Sequence, residues 1–268
     1  MVDTRIAERR QNLKAEQRRR RLRRSLLAVV IISPFAALAV LDATGRLGVE
    51  TVTVMGASAV SDSEITAAAS IQPGDSLVRM STSAAADRIE ALPRVGRADV
   101  YRTWRRDVVI EVVERIPVLQ AAAGGLQPRW VLIDREGVVI GAGDDASLPE
   151  IVLRGAPPSL GAHVGDNTAL ANAYSVWRGL SGPLRTDVHR YIANSQDELR
   201  LELRRGVIIN FGRAERIDEK VRAIGAVLAD IAQREIVEID VRAPSRPVVV
   251  LPSDPTEDDD NSEPTESS

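Results

Sequence analysis

The chain contains no cysteine. Disulfide staples, thiol nucleophiles and thiolate metal sites are excluded together, so any domain it places outside the cell holds by packing alone. Histidine is scarce as well. His163 and His189 are the only two, neither has a second histidine at helical spacing for a zinc site, and no G-x-S-x-G elbow accompanies them for serine chemistry. Gly141-Ala142-Gly143 is half of a phosphate-loop pattern that opens no helix. The neighbouring Asp144-Asp145 point in different directions and read as a solvated turn. Aromatic residues make up 3% of the chain, which leaves Ala, Val, Leu and Ile to build the core. Lys14 and Lys220 are the only lysines; the arginine bias reads as coding bias and not as function. These absences point away from an enzyme, with no catalytic residue, cofactor, metal or small-molecule substrate expected, and towards a binding protein.

One stretch stands out for what it holds. Residues 25–41 (SLLAVVIISPFAALAVL) are uncharged and have no counterpart elsewhere in the chain. A helix rising ~1.5 Å per residue would span about 26 Å over this run, near the lower limit for a bilayer core, and membrane helices tolerate a proline such as Pro34. Residues 1–24 carry ten basic side chains against three acidic ones, a net +7, while the whole chain is at −3. The part beyond the run is therefore at −10. Positive charge on one flank keeps that flank in the cytoplasm. The expectation is a cytoplasmic basic tail over 1–24, a transmembrane helix over 25–41, and a single-pass type II protein of the plasma membrane with its C-terminus outside. Two readings compete: a cleaved signal peptide with its site at Ala37-Leu38-Ala39, and a twin-arginine signal at Arg23-Arg24. The long charged leader opposes the first, and the second lacks the rest of its pattern. Beside a span the arginines suit anionic lipid headgroups better than nucleic acid. At the far end, residues 253–268 hold seven acidic residues and no basic one. They read as a disordered acidic tail, and Asp258-Asp259-Asp260 lacks the spaced ligands and glycine of a calcium loop.

Between these ends the pattern is mixed. A strand rich in Val and Thr over 49–55 closes at Gly56. Ser61 and Glu64 stand at capping-box spacing before a helix reaching about Ala69, and Pro73-Gly74 makes a turn. A second helix from near Ser81 sets Ala85, Ile89 and Leu92 on one face and stops at Pro93. Strands over 95–102 and 107–114 follow, the second apolar on nearly both faces as a central strand should be. Residues 119–128 are small and read as a joint between domains. Beyond them come a hairpin over 130–141 turning at Arg135-Glu136-Gly137, a strand over 150–153 and a loop over 154–167. A helix from Thr168 to about Leu180 is capped by Asn167 and ended by Gly182-Pro183. A strictly alternating strand over 198–203 turns back into 207–211. Its tip, Arg204-Arg205, has no aromatic platform to suggest nucleic acid. Ile217, Val221, Ile224, Leu228 and Ile231 form the apolar stripe of a helix, and a strand over 236–241 follows. The fold class expected is α+β: a single N-terminal transmembrane helix, a β-α-α-β-β module, then a mostly antiparallel β domain with flanking helices.

The β-α-α-β-β order resembles that of a POTRA domain, the polypeptide-transport-associated module. VTVMGASAVSDSEI, LPRVGRADVYRTW and IEVVERIPV resemble its opening, its second helix and strand, and its closing strand in the FtsQ/DivIB family of bacterial cell-division proteins. WVLIDREGVVIG and EIDVRAPSRPVVV resemble the first hairpin and the closing strands of that family's β domain. Order and spacing over about residues 20–252 carry the resemblance, with no single motif decisive. It implies a POTRA domain over 49–118 and an FtsQ-type β domain over 119–252. It further implies a divisome scaffold, expected at the division septum, that binds bitopic proteins of the FtsB and FtsL type and links them to septal cell-wall synthesis. Strand addition at a C-terminal sheet edge is the physical route. The partner-binding residues implied are Val248, Val249, Val250 and Leu251, preceded by Pro244 and Pro247, which bar pairing just before them; valines of an ordinary core strand are the alternative. The strand over 95–102 is a candidate second edge. The alternative function is a POTRA-based secretion or envelope-assembly chaperone, although such proteins carry repeated modules or a barrel.

Overall fold

A computed structural model describes residues 29–34, 36–37, 40–41, 44, 47–103, 105–124, 128–230 and 236–252. They divide into two compact units, the first drawn from the chain up to Ala91 together with Arg97–Val113, the second from Leu92–Gly96 and from Glu114 onward.

In the first unit, strand β1 (Thr51–Met55) is followed by helices α1 (Asp62–Ala69) and α2 (Thr82–Glu90) and strands β2 (Val95–Arg102) and β3 (Asp107–Glu114). Both helices start at serine caps: Ser61 Oγ accepts from the Glu64 N–H and Ser81 Oγ from the Ala84 N–H, each at 3.2 Å. Each cap satisfies a donor that the first turn leaves unpaired. The helices bury Ile65, Ala69, Ala85 and Ile89. The sheet order is β1-β3-β2, with β1 parallel to β3. The central place of β3 agrees with its composition, but its burial is one-sided: Val108, Ile110 and Val112 are buried and Val113 is 62% exposed. Gly56, just after β1, has φ +83°, and a Cβ there would lie 2.2 Å from the Val112 carbonyl oxygen. Only glycine fits that approach.

The second unit is built on one mixed sheet of nine strands, ordered β12-β11-β10-β9-β8-β7-β4-β5-β6. Its elements in chain order are β4 (Pro117–Ala123), β5 (Arg129–Asp134), β6 (Val139–Ala142), β7 (Glu150–Leu153), α3 (Thr168–Gly179), α4 (Gly182–Asp187), β8 (Val188–Ala193), β9 (Leu199–Leu203), β10 (Ile208–Asn210), α5 (Ile217–Asp230), β11 (Glu238–Asp240) and β12 (Val248–Val250). Pairs β4–β7, β7–β8 and β10–β11 are parallel and the others antiparallel. The core lies between one face of the sheet and the helices, with Leu170, Trp177 and Ile224 packed in the same cluster as Ile151, Tyr191, Leu201 and Ile209.

Three expectations are corrected. Residues 119–123 are not a joint. They belong to β4, between β5 and β7, and Leu119 to Ala123 are all buried. A strand buried on both faces loses the alternation that marks a half-exposed one. Gly182-Pro183 does not simply end a helix but starts α4, with Pro183 in its first turn, where its missing N–H costs nothing. The stretch 154–167 contains a 3-10 turn, Val164–Asp166, capped by His163.

Of the expected transmembrane helix, residues 29–34, 36–37 and 40–41 are helical, and Val29, Val30, Ile31 and Ile32 are exposed. Residues 25–28 and both charged tails lie outside the described residues. Among the described residues no helix is long and apolar enough to cross a membrane.

Candidate functional site

A nine-stranded open sheet has two edges, and the sequence treats them differently. At the β6 edge the chain folds back on itself. The Val139 N–H donates to the Ala162 carbonyl at 3.0 Å, and the Gly161 N–H to the Val139 carbonyl at 2.8 Å. His163 fastens this cover. Its Nδ1 accepts from the Gly165 N–H at 3.0 Å while its Nε2 meets the Glu136 carbonyl, also at 3.0 Å. That pairing requires the proton on Nε2, so His163 is structural and the β6 edge is closed.

The β12 edge is open: β11 lies on one side and, among the described residues, no strand lies on the other. Val248, Val249 and Val250 form this edge, and Leu251 lies one residue past it, exposed. Val248 and Val250 are 59% and 46% exposed, whereas Val249 is half-buried. The reason is register. Val131, Ala121, Ile151, Tyr191, Leu201, Ile209, Ile239 and Val249 are successive cross-strand partners in one row over the core face. Every member is buried until Val249. The backbone alternates too. The Val250 carbonyl accepts from the Val237 N–H at 3.1 Å, so the polar groups of Val250 face β11 and those of Val249, one residue away, face the open side.

On the opposite face Glu150, Arg190, Glu202, Ile208, Glu238 and Val250 stand in another row. Arg190 pairs with Glu150 at 3.4 Å and with Glu202 at 3.2 Å. Nearer the edge Arg242 binds Asp240 at 2.5 Å and holds its carboxyl below the ordinary carboxylate range, outweighing the opposite effect of partial burial. Next to the valines, Glu238 bonds Asn210. Both carboxylates beside the edge therefore have partners within the chain. Among the described residues no group of three or more His, Asp or Glu could hold a metal ion.

Two residues that sequence reasoning did not single out for a role stand behind the edge. Lys220 is 3% exposed; its Nζ donates to the Phe211 and Arg213 carbonyls at 2.9 and 2.8 Å and lies 4.8 Å from the centre of the Phe211 ring. Burial lowers its pKa from the ordinary lysine value. Asn172, on α3, donates to the Gly212 carbonyl at 3.0 Å and accepts from the Ala214 N–H at 2.6 Å. Lys220 stands three residues after Ile217 and four before Ile224, on the apolar side of α5, and that position, with the scarcity of lysine in this chain, is the signal that could have found it.

Comparison with known proteins agrees with this architecture. Residues 47–115 match the family model described as POTRA domain, FtsQ-type, and residues 125–242 match that described as cell division protein FtsQ/DivIB, C-terminal. The chain is 34% identical over 203 residues to the cell division protein FtsQ of Streptomyces venezuelae, covering 74% of this chain and 73% of that one. Against the FtsQ of Streptomyces griseus it is 30% identical over 206 residues, 76% of this chain and 97% of the other. Against that of Mycobacteroides abscessus it is 31% identical over 233 residues, 84% and 69% of the two. With both of its domains matched in order, the chain belongs to the FtsQ/DivIB family of cell-division proteins.

Proposed function

We propose that this protein is a bitopic membrane scaffold of the divisome. It receives a strand from a partner division protein on β12 and so links that partner to septal cell-wall synthesis. The observation that carries this reading is the buried row that runs across the sheet and stops, half-buried, at Val249 on an open edge. A strand added there continues the row, covers Val249 and pairs its outward backbone groups. Main-chain bonds supply affinity, and the side chains facing Val248 and Val250 supply selectivity.

The partners this reading implies are bitopic proteins of the FtsB and FtsL type, with the protein held at the plasma membrane, N-terminus inside, and concentrated at the septum. Two features support the membrane placement: the charge difference across residues 25–41, and the exposed Val29, Val30, Ile31 and Ile32 in a helical stretch. Scaffolding, not catalysis, is the role. The first unit offers β2, an outer strand of its own sheet, as a second docking edge.

Val249→Pro tests the edge. It removes an outward donor without taking a bond from β11. The full chain carrying Val249→Pro is expected to fold and to lose co-purification with FtsB- and FtsL-type partners. A folded variant that still captures them would sink the model.

A further inference from the structure

We propose that Lys220 and Asn172 are positioning residues for the β12 edge: together they clamp the backbone between β10 and α5 and so fix where β11 and β12 lie. The inference rests on the edge reading above and concerns what holds that edge in place.

Strands β10, β11 and β12 span three residues each. Strands this short make few ladder bonds, so their position depends on the segments that deliver them. Between β10 and β11, which are parallel, the chain passes through α5. The orientation of α5 therefore sets the start of β11, and through it β12.

The turn that launches this crossover cannot satisfy itself. Gly212 has φ +70°, and four consecutive residues direct a backbone group at the two side chains. The carbonyls of Phe211 and Arg213 go to Lys220, and the Gly212 carbonyl and Ala214 N–H go to Asn172. One clamp arm comes from α5 itself and the other from α3. The two helices also meet closely beside it, since a Cβ on Gly179 of α3 would lie 2.6 Å from Ile217 Cγ2 at the start of α5.

The identity of Lys220 fits this role. The chain carries 35 basic residues and uses arginine for all but two, yet lysine stands at this buried site. An ammonium is compact and rotates its three donors onto two carbonyls, whereas a guanidinium is a larger planar fork.

The test is hydrogen exchange read by mass spectrometry on the full chain in detergent, with no partner present. In Lys220→Met and in Asn172→Ala, amides of residues 236–252 are expected to exchange about ten-fold faster or more, while those of β4, β5 and β8 stay within about two-fold. Ile133→Val, a core change in β5 away from the clamp, is the control and leaves residues 236–252 within about two-fold. Unchanged exchange at the edge in both variants, or equal acceleration across the whole sheet, would overturn the proposal. So would failure of both variants to fold, because the clamp governs only the last strands. Partner capture separates the two ideas. If exchange at the edge ignores the clamp while Val249→Pro still abolishes capture, the clamp is wrong and the edge reading stands. If the clamp behaves as stated and capture ignores Val249→Pro, the edge reading alone fails.

Discussion

Arg115 donates from one nitrogen, Nη1, to Asp134 at 2.6 Å and to Glu136 at 2.8 Å, joining the start of the second unit to the end of β5 and the turn beyond it. Asp134 is 1% exposed and also accepts from the Val138 N–H at 2.8 Å. Burial by itself would raise the Asp134 carboxyl, but the Val138 N–H and the Arg115 guanidinium outweigh it and hold the carboxyl below its ordinary value.

A prediction follows for acid stability. Asp134 binds its proton more weakly folded than unfolded, so its contribution is complete above its unfolded pKa of about 4 and is lost as pH falls through the lower folded value. Arg115→Met removes the guanidinium and leaves a buried carboxylate that burial now pushes upward. The variant is expected to lose roughly 3 kcal/mol at neutral pH, the low end for an uncompensated buried charge. Its acid unfolding is expected to begin at a higher pH than that of the parent. Urea melts between pH 3 and 7, followed by the fluorescence of buried Trp177, check both expectations. Equal acid midpoints in the two proteins would mean that Arg115 does not set the Asp134 pKa.

The elements that could be read from the sequence are those whose signal is local. Ser61 and Asn167 cap helices where the sequence places them, and β9 alternates buried and exposed as Leu199–Leu203 suggests. Ile217, Val221, Ile224 and Leu228 do turn towards the core. What stayed hidden is non-local. Nothing in 117–123 says that β4 will pair with β7 in parallel across thirty-odd residues, and small buried residues hid the strand itself. The valine strand could be seen in the sequence, but the row that leads to Val249 could not, because it depends on the register of eight strands. The cover over β6 was hidden for the same reason, and so was the convergence of Lys220 and Asn172 on the backbone of residues 211–214.

Gly56 and Gly74 permit a comparison within the first unit. Both have positive φ, +83° and +97°, but a Cβ at Gly56 meets the Val112 carbonyl oxygen at 2.2 Å whereas at Gly74 nothing lies within 4 Å. Gly74→Ala is expected to cost only the backbone strain, about 1–2 kcal/mol. Gly56→Ala adds displacement of β3 and is expected to cost more than about 3 kcal/mol. Pulse proteolysis in urea reports the difference, and equal losses in the two variants would show that β3 yields without penalty.

The two faces of β12 lead to the last prediction. Val250 is 46% exposed and lies on the face away from the core, whereas Val249 ends the buried row beside Ile239. A lysine at Val250 therefore meets solvent in the free protein, and Val250→Lys is expected to change stability by less than about 0.5 kcal/mol. In a complex the same lysine stands beside an added strand, where natural edge strands use lysine to repel pairing. Capture of bitopic division partners by Val250→Lys is expected to weaken at least about ten-fold, equivalent to 1.4 kcal/mol. Val249→Lys loads a charge onto the end of the core row and is expected to loosen β12 as well as block the partner. Urea melts paired with co-purification separate the cases. Strand addition requires Val250→Lys to be stable and deficient in binding; a stable Val250→Lys with undiminished capture would place the partner elsewhere on the protein.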